Sequence, residues 1–251
     1  INAELTTTER VGVHRYTFPK TKKANIVIDL LHRDQTLHSD LKIMDSVTLV
    51  GYRVSNAWAT EQHIYFVVKF SKPFINSSVV KTSSTHSITN GGFFQFDASN
   101  GEPIIVKVAI SQTSIDGAEK NLNAEATHFD FDSYKNSAIS IWDKQLSKIE
   151  VSTPEKEKLE TFYSALYHCM IHPSMSGDVD GNYRGRDQKI HQAKNFVPYT
   201  VFSLWDTFRA LHPLFTIIEK KRTMDFIHTF LNQYNEGGRL PMWELSANET
   251  N

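Results

Sequence analysis

The sequence has one cysteine, Cys169, among 251 residues, so it can form neither an internal disulfide nor a cysteine-rich zinc site. It also has no excess of charge of one sign, because 27 Lys and Arg stand against 28 Asp and Glu. This balance provides no basic surface of the kind that binds nucleic acid or anionic membranes. No apolar run approaches the ~20 residues of a transmembrane helix. With 40% hydrophobic and 22% charged residues, the composition is that of a globular protein.

The sequence also lacks the features expected at the two ends of a complete protein. It begins with Ile1 rather than an initiator Met, and no charged segment followed by an apolar one comes after it, so it contains no signal peptide. Residues 246–251 follow an aromatic-rich stretch without a closing helix or strand. We therefore expect the sequence to be part of a longer one.

What the sequence does have is aromatic side chains, which make up 12% of its residues. Aromatic rings stack on sugars as well as filling protein cores. Phe outnumbers Tyr and Trp, with 16 against 9 and 4, which favours core packing for most of them.

Residues 1 to about 131 have the pattern of β-structure. Short runs rich in β-branched and aromatic residues recur at intervals of roughly 8–15 residues, separated by turns that contain Asn, Gly and Pro. Examples of these runs are residues 11–18, 25–30, 47–54, 63–70, 93–96 and 104–110. The spacing predicts an antiparallel β-sandwich.

The period changes after this region. From Ser133, a potential N-cap, apolar residues recur at three and four positions and predict a helix. A second helix is expected to start at Thr153-Pro154 and to end near Pro173, and a third to cover 201–218 with a kink or break at Pro213. A fourth is predicted over 223–234, with Phe226, Ile227, Phe230 and Leu231 buried. Strands first and helices afterwards predict two domains, not alternating βαβ units.

Two short motifs raise the possibility of a metal site. His168 and His172 are four residues apart and could bind zinc from one helix face, but no third ligand is evident and surface or core-edge histidines are the better interpretation. Residues 178–182 (DVDGN) resemble the start of a calcium-binding EF-hand loop, but Lys189 stands where that loop needs Glu. We therefore interpret them as a turn.

Residues 203–209 (SLWDTFR) are more specific. Trp205 and Asp206 are adjacent, so on a helix they point ~100° apart and do not both lie at the centre of a buried stripe. An aromatic platform beside a carboxylate suits a ring that carries several hydroxyl groups. The alternative is that Trp205 packs in the core and Asp206 pairs with Arg209. The residues alone leave both interpretations open.

Residues 237–245 (GGRLPMWEL) have a similar character. A helix is expected to end at the two glycines, and Pro241 then holds an extended segment that carries Trp243 and Glu244. Loops at the ends of a helical scaffold often carry binding residues. Asn248 and Glu249 follow and provide oxygen atoms that could bind calcium or sugar hydroxyls.

These two stretches carry a resemblance to glycoside hydrolase family 92, the calcium-dependent exo-α-mannosidases known from gut Bacteroidetes that degrade yeast mannan and N-glycans. The resemblance extends over essentially the whole chain. The segments that carry it are 199–209 (YTVFSLWDTFR), 237–245 (GGRLPMWEL) and 249–250 (ET), with 3–16 (AELTTTERVGVHRY), 51–53 (GYR), 65–66 (YF) and 70–74 (FSKPF) in the β half.

The resemblance implies an α+β two-domain fold. The expected parts are an N-terminal antiparallel β-sandwich at 1–131, a linker helix at 132–152, and the first helices of an (α/α)6 toroid at 153–251. The active site of such enzymes lies between the two domains. By the same resemblance, Trp205 and Asp206 are expected to contact the terminal mannose. Trp243 and Glu244 are further expected substrate-binding residues, and Asn248 and Glu249 are weaker candidates for metal ligands.

The resemblance also implies the chemistry of a longer protein. It implies an inverting, calcium-assisted glycoside hydrolase that removes terminal α-linked mannose, with α-1,2 linkages as the expected substrates, in the periplasm or outside the cell. The general acid and base are expected after Asn251, so no residue here is assigned a catalytic role and the chain alone is expected to be inactive.

Two alternatives to a mannosidase are open at this point. A non-catalytic carbohydrate-binding β-sandwich would bind sugar through exposed aromatic residues of the sandwich. A structural interaction domain would instead bury Trp205 and Trp243 and pair their acidic neighbours with Arg or Lys. Neither alternative requires Trp205 and Asp206 to face a cleft between the domains, as a mannosidase does.

Overall fold

The computed structural model describes residues 1–82 and 88–250, and in these ranges strands precede helices as the sequence predicts. The strands of the first half are β1 Asn2–Thr7, β2 Val11–Thr17, β3 Ala24–Asp29, β4 Gln35–Ile43, β5 Thr48–Asn56, β6 Gln62–Phe70, β7 Asn76–Thr82, β8 Ile88–Phe96 and β9 Ile104–Ser111. The elements that follow are α1 Ile115–Glu125, α2 Phe131–Leu146, α3 Lys156–Ile171, β10 Ser174–Met175, β11 Asn182–Arg184, β12 Ile190–Gln192, β13 Tyr199–Thr200, α4 Leu204–Thr207, α5 Leu211–Ile218, α6 Lys220–Gly237, β14 Glu244–Leu245 and β15 Asn248–Glu249.

The first half is an antiparallel β-sandwich, as predicted. Its strands are hydrogen-bonded in the order β1-β2-β9-β6-β5-β4-β8-β3, and β7 pairs with β8. Neighbouring strands are antiparallel except for one parallel pairing, of Ser39 in β4 with Ile88 in β8. The ring of Phe70 in β6 lies 5.9 Å from that of Phe94 and 5.0 Å from that of Phe96, both in β8. These two strands are not neighbours in the sheet, so the contact shows that the sheet folds over and encloses a core.

The alternation of side chains along the strands creates two cores. In β9, Ile104 and Val106 belong to the core inside the sandwich, whereas Ile105 packs on the outer face against α1. Adjacent residues of a strand point to opposite faces, so one strand serves both cores. The outer core contains Ala118 and Leu122 of α1.

Helix α1 lies inside the range that the sequence assigned to β-structure, and that part of the prediction is wrong. Its buried face consists of Gly117, Ala118, Asn121 and Leu122, so half of it is glycine or a polar amide. Ser114 caps the first turn by accepting a hydrogen bond from the Gly117 amide at 3.0 Å. Such a helix has no continuous apolar stripe, so the sequence pattern does not predict it.

The helical half follows the prediction with shifted ends. The connecting helix is α2, capped by Asp130 rather than Ser133, and α3 starts at Lys156 rather than after Thr153. The expected helix over 201–218 is two helices, α4 and α5, interrupted at 208–210. Pro213 does not cause the break, because it lies in the first turn of α5, where its missing amide hydrogen is not needed.

The core of the helical half is smaller than that of the sandwich. It is centred on Phe202, Phe215 and Phe226, with Phe230 partly buried against them. Ile227 and Leu231, which were expected to be buried, are 42% and 53% exposed. No helix in the described part of the chain is both long enough and apolar enough to span a membrane.

Candidate functional site

A cavity of about 500 Å³ opens between the two halves of the molecule. One residue from the sandwich, Trp58 in the loop between β5 and β6, contributes to its wall. The other lining residues come from the segment that leads into α4 and from the region around β14: Val201, Phe202, Ser203, Asp206, Trp243, Glu244, Leu245 and Thr250. The cavity is therefore bounded by both domains and has an indole on each side of the boundary.

Three of the four expected substrate-binding residues line this cavity. Asp206, Trp243 and Glu244 are among its walls, whereas Trp205 lies beside Asp206 in α4 but is not a lining residue. Trp205 is 61% exposed and Trp243 is 36% exposed, so neither indole is buried as a structural interaction domain would require.

Asp206 is exposed and has a local hydrogen-bond partner. The Ser203 hydroxyl donates to its Oδ2 at 2.5 Å, which holds the carboxylate against the start of α4. Arg209, the alternative partner considered from the sequence, instead places its guanidinium 5.4 Å from the centre of the Phe208 ring. The carboxylate thus faces solvent at the cavity, where its free acceptor capacity can receive hydroxyl protons.

Glu244 is quite different from Asp206 although both line the cavity. It is only 1% exposed, and its Oε1 accepts hydrogen bonds from the Thr200 hydroxyl at 2.9 Å and from the Ala247 amide at 2.7 Å. Burial raises the pKa of Glu244 to about 7, because removal from water disfavours the charged form more than these hydrogen bonds favour it. The carboxyl group therefore changes its charge near neutral pH.

The backbone around Glu244 is strained at three residues that are not glycine. Val201 has φ of 67°, and Ser246 and Ala247, which form the turn between β14 and β15, have φ of 48° and 67°. A β-branched residue rarely adopts this left-handed region, and a turn with two such residues normally uses Asn-Gly. Strain of this kind persists where the surrounding structure enforces it and is concentrated at functional sites.

The two candidate metal ligands are occupied by other contacts. Asn248 Oδ1 accepts from the Thr60 hydroxyl at 2.9 Å, and Glu249 accepts from the backbone amides of Trp243 at 2.8 Å and Met242 at 3.0 Å. Within residues 1–82 and 88–250, no group of three or more His, Cys, Asp or Glu side chains is arranged to hold a metal ion. The oxygen atoms of Asn248 and Glu249 are therefore engaged in hydrogen bonds within the protein.

Trp58 is the lining residue that the sequence reasoning missed. It is 84% exposed and occupies a turn, 57–61, between two predicted strands. A large apolar side chain in such a turn has no core to fill, which was the available signal. The sequence pattern on either side predicts two strands and does not single out the turn between them.

Comparisons with known proteins agree with this two-domain arrangement. The family description "Glycosyl hydrolase family 92 N-terminal domain" matches residues 1–111, and "Glycosyl hydrolase family 92 catalytic domain" matches residues 117–251. No curated protein matches the chain significantly.

Solved structures of the same family superimpose closely. A family GH92 alpha-mannosidase from Bacteroides thetaiotaomicron is 34% identical, with a TM-score of 0.91 over 99% of this chain and 36% of its own. The structure of that enzyme in complex with mannoimidazole gives 33% identity and a TM-score of 0.90, over 99% of this chain and 35% of the other. A GH92 inverting mannosidase from Bacteroides thetaiotaomicron VPI-5482 is 27% identical, with a TM-score of 0.86 over 98% and 34%.

The chain thus spans about a third of the length of these relatives, and both of its halves match the family in order. The resemblance noted in residues 199–209 and 237–245 is confirmed. The chain belongs to glycosyl hydrolase family 92.

Proposed function

We propose that this chain is the β-sandwich and the opening helices of an exo-α-mannosidase that removes terminal α-linked mannose from mannan or N-glycans. The observation that supports this most is the cavity between the domains, where Trp58 and Trp243 provide indoles and Asp206 provides an exposed carboxylate. A related enzyme has been solved with mannoimidazole, which is consistent with a mannose-sized ligand.

The side chains of the cavity suit a pyranose ring. The indole of Trp243 offers an apolar face for the C–H groups of the sugar, and Trp205 offers another beside the cavity. Asp206 accepts hydrogen bonds from two neighbouring hydroxyl groups, and a charged acceptor makes these stronger than neutral ones. The residues of this chain therefore bind and orient the sugar.

We further propose that hydrolysis proceeds with inversion. One carboxylic acid protonates the leaving oxygen while a carboxylate activates water on the opposite face, and the two stand ~6.5–9.5 Å apart to admit that water. We assign neither role to a residue of this chain, and we place both in the part of the family's length that the chain does not span. The one relative described as inverting supports the stereochemical proposal.

Calcium, a preference for α-1,2 linkages and a periplasmic or secreted location complete the proposal. We place the principal calcium ligands in the part of the family's length that the chain does not span, because the oxygen atoms of Asn248 and Glu249 accept hydrogen bonds from the protein. Mannose release by the longer protein in the presence and absence of a chelator tests the calcium requirement, and comparison of α-1,2- and α-1,3-linked mannobiose tests the linkage.

The central test is binding of methyl α-mannopyranoside to the 251-residue chain, measured by calorimetry, together with mannose release. We expect binding without hydrolysis. Asp206→Asn removes the charge while keeping the shape, and should weaken binding about tenfold. Asp45→Asn, in the exposed turn before β5, is the matched control and should bind as the unaltered chain does. Equal affinity of Asp206→Asn and the unaltered chain, or release of mannose by the chain alone, contradicts the proposal.

A second candidate is a non-catalytic carbohydrate-binding sandwich, and the 84% exposure of Trp58 favours it. In that case the sandwich alone carries the binding surface. Trp58→Ala should then abolish binding while Asp206→Asn has no effect. The mannosidase proposal instead expects both substitutions to weaken binding.

A further inference from the structure

The short hairpin formed by β14 and β15 directly follows Trp243 in the chain and contacts the loop that carries Trp58. Its strands pair Glu244 with Glu249 and Leu245 with Asn248, joined by the two-residue turn Ser246–Ala247. Adjacent residues of a strand point in opposite directions, so Asn248 and Glu249 reach different neighbours. Each of these neighbours is a segment that carries one of the indoles.

Asn248 connects the hairpin to the loop that carries Trp58. Its Oδ1 accepts from the Thr60 hydroxyl at 2.9 Å, and its Nδ2 donates to the Glu61 carbonyl at 3.1 Å. The same Nδ2 donates to the carbonyl of Ser246 at 2.8 Å. Asn248 is 8% exposed, so water does not compete strongly for these bonds. This side chain thus ties the helical half to the sandwich two residues from Trp58.

Glu249 holds the segment that carries Trp243. Its carboxylate accepts from the Trp243 amide through Oε1 and from the Met242 amide through Oε2. Arg186 lies 3.6 Å from the same carboxylate, and the side chains of both residues are 6% exposed. Both carboxylate oxygens are therefore used to hold the backbone next to Trp243.

The turn of the hairpin is held in place by hydrogen bonds to side chains of β13 and β14. The Ser246 amide donates to the Thr200 hydroxyl oxygen at 2.8 Å, and the Ala247 amide donates to Glu244. These bonds enforce the left-handed conformation of both turn residues, and with it the direction of β15. The two side chains of β15 are therefore fixed relative to Thr200 and Glu244.

We propose that Asn248 and Glu249 are positioning residues that set the separation of Trp58 and Trp243, and thereby the width of the cavity that receives the sugar. The part concerning sugar rests on the proposed function. The positioning itself does not, because it follows from contacts within the protein. Asn248 acts on the sandwich side of the cavity, and Glu249 acts on the helical side.

The positioning is tested by ¹⁹F NMR of the chain labelled with 5-fluorotryptophan. The four tryptophans give four resonances, and Trp58→Phe and Trp243→Phe identify the two of interest. We expect Asn248→Ala to shift and narrow the Trp58 resonance, since its loop becomes more mobile, and to leave that of Trp142 unchanged. Glu249→Ala should instead move the Trp243 resonance. Asn25→Ala, which removes an exposed amide of β3 that donates to the Lys23 carbonyl at 3.0 Å, is the matched control.

Thr60→Val tests the same hydrogen bond with a smaller change, because it removes only the hydroxyl that donates to Asn248. It should shift the Trp58 resonance in the same direction as Asn248→Ala. An unchanged Trp58 resonance in Thr60→Val, or an equal change in all four resonances, overturns the proposal, since the first shows no positioning and the second shows a role in overall folding.

The consequence for sugar binding is measured with methyl α-mannopyranoside. Asn248→Ala should weaken its binding about fivefold, because it loosens the loop of Trp58, whose own substitution is expected to weaken binding. Unchanged affinity of Asn248→Ala contradicts the part of the proposal that concerns the sugar. If the probe does not bind the unaltered chain, the proposed function fails, while the NMR result still decides whether Asn248 and Glu249 position the indoles.

Discussion

The sandwich and the helical half bury their apolar residues to very different extents. Among the described residues, the inner core of the sandwich has 13 buried members and 6 partly buried ones, whereas the helical core has 6 buried and 13 partly buried. The sandwich also has a second core under α1. Both halves leave large apolar side chains exposed, among them Leu5 and Val27 in the sandwich and Ile217 and Leu240 in the helical half.

This difference indicates where stability comes from in each half. The sandwich buries enough apolar surface to hold itself together, since burial of hydrophobic side chains is the main favourable contribution to folding. The helical half has a partly buried core in a chain that spans about a third of its relatives' length, so within this chain it gains less from burial. The substitutions below are chosen to test this contrast, and they are arranged from the largest expected effect to the smallest.

The largest effect is expected in the inner core of the sandwich. Phe94→Ala removes a fully buried ring and should lower the free energy of unfolding by about 3–5 kcal/mol. Phe230→Ala is the counterpart in the helical half and should cost less than half as much, because its ring is only partly buried. Denaturant unfolding followed by circular dichroism measures both. Equal losses would show that the two cores contribute alike and would remove the contrast.

The next effect is expected at the polar link between the halves. Asp178 is 4% exposed, and its carboxylate accepts hydrogen bonds from Ser111 at 2.8 Å, Thr113 at 2.5 Å and Asn121 at 2.8 Å. Asp178→Ala leaves three buried donors without this acceptor and should cost about 3 kcal/mol. It should also separate the unfolding of the two halves into two transitions, as measured by calorimetry.

Asp180→Ala is the control for the Asp178 substitution. Its carboxylate lies two residues away, pairs with Lys120 at 3.1 Å on the surface and accepts two hydrogen bonds from Asn182 within its own turn. Such pairs contribute roughly 0–1 kcal/mol, so the control should unfold in one transition at nearly the normal temperature. A single transition in Asp178→Ala as well would mean that the halves are joined mainly by other contacts.

The same Asp178 link explains which parts of the fold could be predicted from the sequence. The predicted runs coincide with β2, β3, β5, β6, β8 and β9, whose apolar residues alternate because one strand face packs into an apolar core. Strands β1, β4 and β7 were not among the predicted runs. Helix α1 was missed because Gly117 and Asn121 face Asp178 rather than an apolar core. A Cβ at residue 117 would lie 2.3 Å from Asp178 Oδ2, so this position needs glycine for a reason that appears only in three dimensions.

The candidate site was predictable to a similar degree. Asp206 and Trp243 were expected because each belongs to an aromatic–carboxylate pair in a segment that resembles the family, and both line the cavity. Trp58 comes from the other domain, and no local pattern indicates that its loop meets Asn248. Asn248 and Glu249 were interpreted by their oxygen atoms alone. The Thr60 partner of Asn248 lies 188 residues earlier in the chain, whereas the Trp243 partner of Glu249 lies only 6 residues earlier.

A third prediction concerns the pH dependence of stability. Glu244 has a pKa of about 7 when folded, against its usual 4.5, so the folded state holds its proton more tightly than the unfolded state. The stabilisation of the folded state by protonated Glu244 is therefore fully present below about pH 4.5 and is lost as the pH rises through 7. Between pH 5 and pH 8 this group should lower the free energy of unfolding by about 2–3 kcal/mol.

Glu244→Gln isolates that contribution, because the amide keeps an oxygen for the Thr200 hydroxyl and does not titrate. The difference in unfolding free energy between the variant and the unaltered chain should change with pH over this interval. A pH-independent difference for Glu244→Gln would mean that this carboxyl group has the same affinity for a proton in both states.

The smallest effect is expected in the turn of the β14–β15 hairpin, and its sign is informative. Ala247 has φ of 67°, a conformation that glycine adopts without the clash of a Cβ atom. Ala247→Gly should therefore stabilise the chain by about 0.5–1 kcal/mol, even though glycine gives the unfolded chain more freedom. Ala3→Gly, in the extended strand β1, should destabilise it by a similar amount, since there only the unfolded-state effect operates. Opposite signs in thermal unfolding would show that the helical half holds a strained turn in place at the cavity. A loss in both variants would mean that Ala247 is not strained, and that the direction of β15 is set by Asn248 and Glu249 alone.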